Sequence, residues 1–257
     1  MASWNPFPHP GAYAFDPVSL TGKWARLHRG DCEPLPGDAA VLKAWVLFHN
    51  GEFQKAAQAG LKAGGDGVTV ANKATCIYAN YLETKEQSKL DLFLEAAARA
   101  EAQQASDPKN PNAWYWQAYA LGRYGQGISV AKALAQGLGT KVKAALEQTL
   151  RLCPQHADAH VALGAFHAEV IDKVGSLIGG MTYGARKDTG LALFQQALKL
   201  NPGSAVAMTE YANGMVMLEG DKRMKEATRL YEQAAASEAL DAMERLDVDM
   251  ARMELQD

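Results

Sequence analysis

Cysteine is nearly absent: Cys32, Cys76 and Cys153 are the only three in 257 residues. An odd number at wide spacing writes no disulfide framework and no C-x-x-C motif. It fits a reducing cytoplasm, with a periplasmic protein whose signal has been removed as the alternative compartment. No run approaches the roughly 18 uninterrupted apolar residues that a membrane span needs. The opening M-A-S-W-N-P-F-P-H-P lacks both the basic n-region and the apolar h-region of a secretory signal. A basic excess is missing too: 26 Lys and Arg stand against 29 Asp and Glu, for a net charge of −3. A polyanion such as nucleic acid is therefore not the expected partner. Apolar residues at 48% and charged residues at 21% exclude a disordered chain.

What is abundant is alanine, 46 residues, beside only 8% aromatics. Alanine loses no side-chain entropy on entering a helix, so the composition points to an all-helical chain. Proline is unevenly spread. Six of the ten prolines lie in the first 36 residues, together with Trp4, Phe7, Tyr13, Phe15 and Trp24. Residues 1–36 read as a proline–aromatic arm, and residues 37–257 as a helical domain. Within the arm, Asp16-Pro17 is an N-cap followed by proline at N1, which predicts a short helix to about His28 with Gly30 as its stop. So many aromatics on a free arm would expose apolar surface, so the arm is expected to pack, in cis or on a neighbouring subunit.

Three later prolines reveal a repeat. Pro108, Pro154 and Pro202 are 46 and 48 residues apart. Aligned on them, Ala100, Leu146 and Phe194 fall eight residues before. Trp114, His160 and Met208 fall six after. Gln117, Leu163 and Tyr211 fall nine after, Ala118, Gly164 and Ala212 ten after, and Leu121, His167 and Met215 thirteen after. Proline just beyond a helix ends it. A small residue at +10 lets two helices approach closely, and large residues at +6, +9 and +13 share a helical face and fill the gap between them. The pattern is that of a repeated helical hairpin.

These residues resemble the tetratricopeptide repeat (TPR), whose first helix carries a large–small–large set and whose second carries Ala–aromatic–Ala before a terminal proline. Leu163-Gly164 with Phe194, Ala197 and Pro202 matches best. Ala227, Tyr231 and Ala234 form a second set, and Gly51, Phe53, Ala56 and Ala63 match the turn into a second helix. The resemblance covers roughly residues 37–240. It implies an α-solenoid (an α-α superhelix) of about five helical hairpins. Met243, Leu246, Met250 and Met253 mark an amphipathic C-terminal capping helix with a polar outer face.

The departure from the family is length. Its period is near 34 residues, and two units here are 12–14 residues longer, with surplus at about 124–140 and 170–189. In the second, Val170, Val174, Leu177, Ile178 and Met181 form a helical stripe. The stripe predicts that the first helix runs on for extra turns, buries a further apolar face and stops at Gly179-Gly180. Such an extended segment is similar to that of TRAP-transporter T components and of regulators of microtubule dynamics, a looser resemblance.

No chemistry-bearing constellation outweighs its packing explanation. Cys153, His156, Asp158 and His160 have metal-like spacing, but they span a helix stop and the next helix start, where Asp158 suits the N-terminal dipole. His160 and His167, with Glu169 near, lack a nucleophile. The glycine pairs at 124–127, 137–141 and 178–180 lack phosphate-loop spacing and a preceding strand. No catalytic residue, metal or cofactor is expected, and the protein is read as not an enzyme. The TPR resemblance implies an inner, concave face lined by first helices: Tyr115, Tyr119 and Arg123, then Val161, Ala165 and Glu169, then Thr209, Asn213 and Met217. The Lys/Asn/Arg set that clamps a C-terminal carboxylate in some TPR adaptors is not in register. The expected function is a cytoplasmic scaffold or adaptor that binds a protein or peptide in that groove, with homo-oligomerisation open. The alternative is a small-ligand carrier or transport accessory with an apolar pocket between the inserted helices.

Overall fold

The structure is a computed structural model that describes residues 3–256. Among these residues there is no strand. The fold class is that of an all-α, TPR-like solenoid, in which consecutive helices pair as antiparallel hairpins. The chain divides into two compact units.

Unit 1 comprises residues 1–28, 33–152 and 240–243. It opens with α1 (Pro17–Leu27), started as the sequence predicts. The Asp16 carboxylate accepts from the Ser19 backbone N–H at 2.7 Å, and Ser19 Oγ accepts from the Asp16 N–H at 2.9 Å, a reciprocal cap. Three hairpins follow: α2 (Ala39–His49) with α3 (Phe53–Ala63), α4 (Gly67–Tyr81) with α5 (Glu86–Ser106), and α6 (Pro111–Gln126) with α8 (Leu138–Leu152). The first insert holds a short helix, α7 (Val130–Ala135). First helices lie beside first helices, α2 on α4 and α4 on α6, and each second helix packs on the next first helix. Asp38 and Asn110 cap α2 and α6 through their side chains.

The arm packs in cis on this unit. Trp4 stacks on Tyr78 at 4.2 Å, and Asn5 Nδ2 donates to the Leu82 carbonyl. Asn50 grips the Phe15 backbone twice, at 2.7 and 3.0 Å. Phe7 is buried over Gly51, whose φ of +83° and missing Cβ admit the ring: a β-carbon there would lie 2.7 Å from it.

Unit 2 comprises residues 29–32, 153–239 and 244–257. Its hairpins are α9 (Ala157–Tyr183) with α10 (Lys187–Leu200), and α11 (Ala205–Glu219) with α12 (Met224–Ala235), the latter joined through a 3-10 turn at Gly220–Arg223. The last helix, α13 (Ala242–Glu254), sets Val248 and Ala251 against Ala205 and Ala234. Phe194 of α10 is fully buried between two glycines, Gly164 of α9 and Gly214 of α11, and stacks on Tyr211 at 5.3 Å. This is the large-into-small packing that the repeat offsets predict.

All three prolines sit just past the ends of α5, α8 and α10. The −8, +10 and +13 positions are buried in every repeat. The +6 position keeps its expected filler role in one repeat, where Met208 packs against the cluster of Ala205, Ala234, Val248 and Ala251, and differs in the other two. Trp114 Nε1 donates to the Pro108 carbonyl at 3.1 Å, and His160 Nε2 donates to the Pro154 carbonyl at 3.0 Å. Both rings fold back on the proline turn because their ring N–H can satisfy a carbonyl orphaned at the helix end.

The second insert also differs. Gly175 (φ +80°, ψ 158°) interrupts α9, and the helix resumes and ends at Gly184 in the left-handed cap conformation, so Gly179-Gly180 is not the stop. The interruption changes the phase of the stripe. Leu177, Ile178 and Met181 are 75%, 56% and 81% exposed, and no further apolar face is buried by them.

Candidate functional site

The residues expected to line a binding face fall into one set in each unit. On α6 of unit 1, Tyr115, Tyr119 and Arg123 occupy successive turns. Tyr115 is buried edge-on against Trp116, with ring centroids 4.9 Å apart. Tyr119 is half-buried, and the Arg123 guanidinium lies over its ring at 5.4 Å while Nη1 donates to Gln126 Oε1 at 3.1 Å. Arg123 is thus held in place by stacking and a hydrogen bond, and the residue is half-buried.

In unit 2, α9 and α11 pack side by side. Val161 and Thr209 are buried, Val161 within the cluster around Phe194. The Thr209 hydroxyl has no hydrogen-bond partner. Asn213 is half-buried and accepts from the Tyr231 hydroxyl. Burial and, less strongly, the charges of Glu254 and Glu210 hold that phenol un-ionised by pushing its pKa up. Glu169 is half-buried, and Met217 is exposed at 40%. Of the expected residues, those that keep solvent access are Tyr119 and Arg123 in unit 1, and Ala165, Glu169, Asn213 and Met217 in unit 2, Ala165 packing partly on the Phe194 cluster.

The groups that could have carried chemistry have structural work. His156 is the N-cap of α9, its Nδ1 accepting from the Ala159 N–H at 3.1 Å. His167 Nδ1 accepts from the Arg186 N–H at 3.0 Å and so ties α9 to the start of α10. Among the described residues no group of His, Cys, Asp and Glu is arranged to hold a metal ion.

Sequence reasoning missed a buried polar layer in unit 1. Helix α4 is buried on all sides from Thr69 to Ala79, packed by α2, α3, α5 and α6, yet it carries Thr69, Asn72, Lys73 and Thr75. Three of these side chains, Thr69, Asn72 and Thr75, bond to α5. Gln103 Nε2 donates to Thr69 Oγ1 at 2.8 Å, Arg99 Nε donates to Asn72 Oδ1 at 3.1 Å, and Arg99 Nη2 donates to Thr75 Oγ1 at 2.6 Å. Burial pulls the Arg99 pKa down and pushes the Cys76 thiol up to about 12. Lys73, 3% exposed, sets its ammonium over Trp45, Phe48 and Trp116 at 5.6, 5.2 and 5.9 Å. Beside it, His49 Nδ1 donates to Asp241 at 2.6 Å, and His49 Nε2 meets His28 Nε2 at 3.2 Å. The α4 side chains of this layer are buried, while Arg99 is 18% exposed and also pairs with Glu95 at 2.8 Å, so the layer chiefly specifies packing. The available signal was four polar residues on a helix otherwise apolar all round.

Comparisons with known proteins agree with this architecture. The family model for regulator of microtubule dynamics proteins 1–3 matches residues 46–252, well over half of the chain. A search of curated protein sequences gives no match. Among solved structures, a thermophilic TPR protein in Thermus thermophilus superposes with a TM-score of 0.58. It is 17% identical, and the similarity covers 83% of this chain and 97% of that one. At that identity the likeness speaks for the fold alone.

Proposed function

The chain belongs to the regulator of microtubule dynamics family, and from that premise we propose that it is a non-enzymatic scaffold that holds a protein or peptide partner on the faces of its first helices. The observation that carries this reading is the Tyr119–Arg123 pair on α6. An arginine pre-stacked on a half-exposed tyrosine is the residue combination enriched at interface anchors. Its conformation is already fixed by Tyr119 and Gln126, so little side-chain entropy is lost on binding. In unit 2 the corresponding contribution comes from Glu169, Asn213 and Met217. Thr209 and Val161 support that face from beneath, being buried. His156 and His167 act in a cap and a helix tie rather than in catalysis, and the working compartment is the cytoplasm.

The test is affinity capture with the full-length protein and with a Tyr119→Ala/Arg123→Ala double variant, read by quantitative mass spectrometry. Circular dichroism confirms that both are folded. The reading expects partners enriched on the wild type to fall to background on the variant, since anchor truncations cost about 2 kcal/mol or more, roughly thirty-fold in affinity. Identical enrichment on both proteins would overturn the assignment of the α6 face.

A further inference from the structure

Unit 2 brings together two cysteines that are 121 residues apart in sequence. The loop Arg29–Cys32 belongs to this unit and lies against the start of α9. The Asp158 N–H donates to the Gly30 carbonyl at 3.0 Å. The approach is close: a β-carbon on residue 30 would lie 2.8 Å from Asp158 Oδ2 and 2.9 Å from its Cγ, so that carboxylate would have to move aside. Two residues on, Cys32 takes φ +51°, the only non-glycine residue in the left-handed region among the described residues. Its side chain lies close enough to interact with that of Cys153, which stands just before Pro154 and the His156 cap. Both side chains are partly exposed, whereas Cys76 is buried in α4.

We propose that Cys32 and Cys153 form a reversible thiol–disulfide pair, a modification site that covalently closes the 29–32 loop onto the start of α9 when the protein meets a peroxide. Burial, above all, and then the hydrogen bond and charge of Cys153 and the carboxylates of Asp31 and Asp158, push the Cys32 thiol above its ordinary value. One thiolate of the pair attacks hydrogen peroxide, breaking the O–O bond. One oxygen stays on sulfur as a sulfenic acid, and the other leaves as hydroxide and takes up a proton to become water. The partner sulfur then attacks the sulfenic sulfur. The S–S bond forms, the S–O bond breaks, and the partner thiol's proton goes to the departing hydroxide as a second water. Two thiols lose two electrons in all, and the peroxide gains them. Thiol reductants reverse the step by exchange through a mixed disulfide.

The test treats the full-length protein with hydrogen peroxide, blocks remaining thiols with an alkylating agent, and maps peptides without reduction. The proposal expects a peptide pair joined through Cys32 and Cys153, a fall from three free thiols to one, Cys76 as the survivor, and full recovery with dithiothreitol. In Cys32→Ser and in Cys153→Ser the expectation is no cross-link. Three titratable thiols after treatment, or a cross-link through Cys76, would each overturn it. Because the readout is the covalent map of the wild type, an unstable variant does not blur the result.

Discussion

Replacing Gly214 by alanine sets two effects of known sign against each other. Inside a helix, Gly→Ala is stabilising by about 0.5–1 kcal/mol, because glycine loses more backbone freedom on folding. Gly214 lies in α11 and faces the Phe194 ring. A β-carbon there would sit 2.8 Å from Phe194 Cζ and closer still to Cε2, well inside van der Waals contact. The ring has no room to retreat. On its other side Gly164 leaves only 3.1 Å between its own β-carbon position and three ring atoms, Tyr211 stacks on the ring at 5.3 Å, and the side chain is fully buried. Overpacking of this kind costs about 1–3 kcal/mol. With both sides blocked the upper part of that range applies, so the net expectation is a loss of about 1–2 kcal/mol, seen as a fall in melting temperature of roughly 2–8 °C. Gly122 is the internal comparison. It lies in α6, and nothing stands within 4 Å of its β-carbon position. Gly122→Ala therefore keeps only the helix term and gains about 0.5–1 kcal/mol. Urea unfolding of both variants decides the matter, and adding Phe194→Leu to Gly214→Ala should restore part of the loss, with coupling of about 0.5 kcal/mol or more. If Gly214→Ala proves as stabilising as Gly122→Ala, the account of Phe194 clamped between two glycines is wrong.

Thr209→Val should stabilise the protein by about 1 kcal/mol, since it replaces a buried, unpartnered hydroxyl by a methyl group of the same shape. Thermal denaturation reads this directly, and a loss of stability would mean that the hydroxyl is engaged. Glu83 gives a pH signature. Its carboxylate is held below the ordinary 4.5 chiefly by the Lys85 N–H, and also by the Tyr78 hydroxyl and the Thr84 N–H. A pKa lower in the folded than in the unfolded chain makes a contribution that is present above the ordinary glutamate value and lost as pH falls through the lowered one. Glu83→Gln should therefore cost stability at pH 7, by less than about 1 kcal/mol for so exposed a group, and be neutral at pH 2. Denaturant midpoints measured across that range check it, and an equal cost at both pH values would refute the carboxylate's role.

The parts of the fold legible in the sequence are those written at short range. Helix stops at Pro108, Pro154 and Pro202, the Asp16 cap, and the alternation of small and large at −8, +10 and +13 each depend on a few neighbouring residues, and each is found in the structure. Misreadings arose where one residue alters the phase or the partner of many. The stripe from Val170 to Met181 is a sound helical pattern, but a periodic count cannot register that Gly175 takes a positive φ and turns Leu177, Ile178 and Met181 outward. At +6, size alone suggested filling. The ring N–H groups of Trp114 and His160 instead found a carbonyl, which polarity could have foretold. The candidate face shows the limit most clearly. Helical spacing places Val161 and Glu169 on one stripe, and Thr209 and Met217 on another. Which of them remain open depends on the packing around them, where Phe194 and Tyr231 come from other helices. The contacts His49–Asp241 and Cys32–Cys153 lie further still beyond any local pattern, 192 and 121 residues apart. Contacts at such separation carry no repeat signal to announce them.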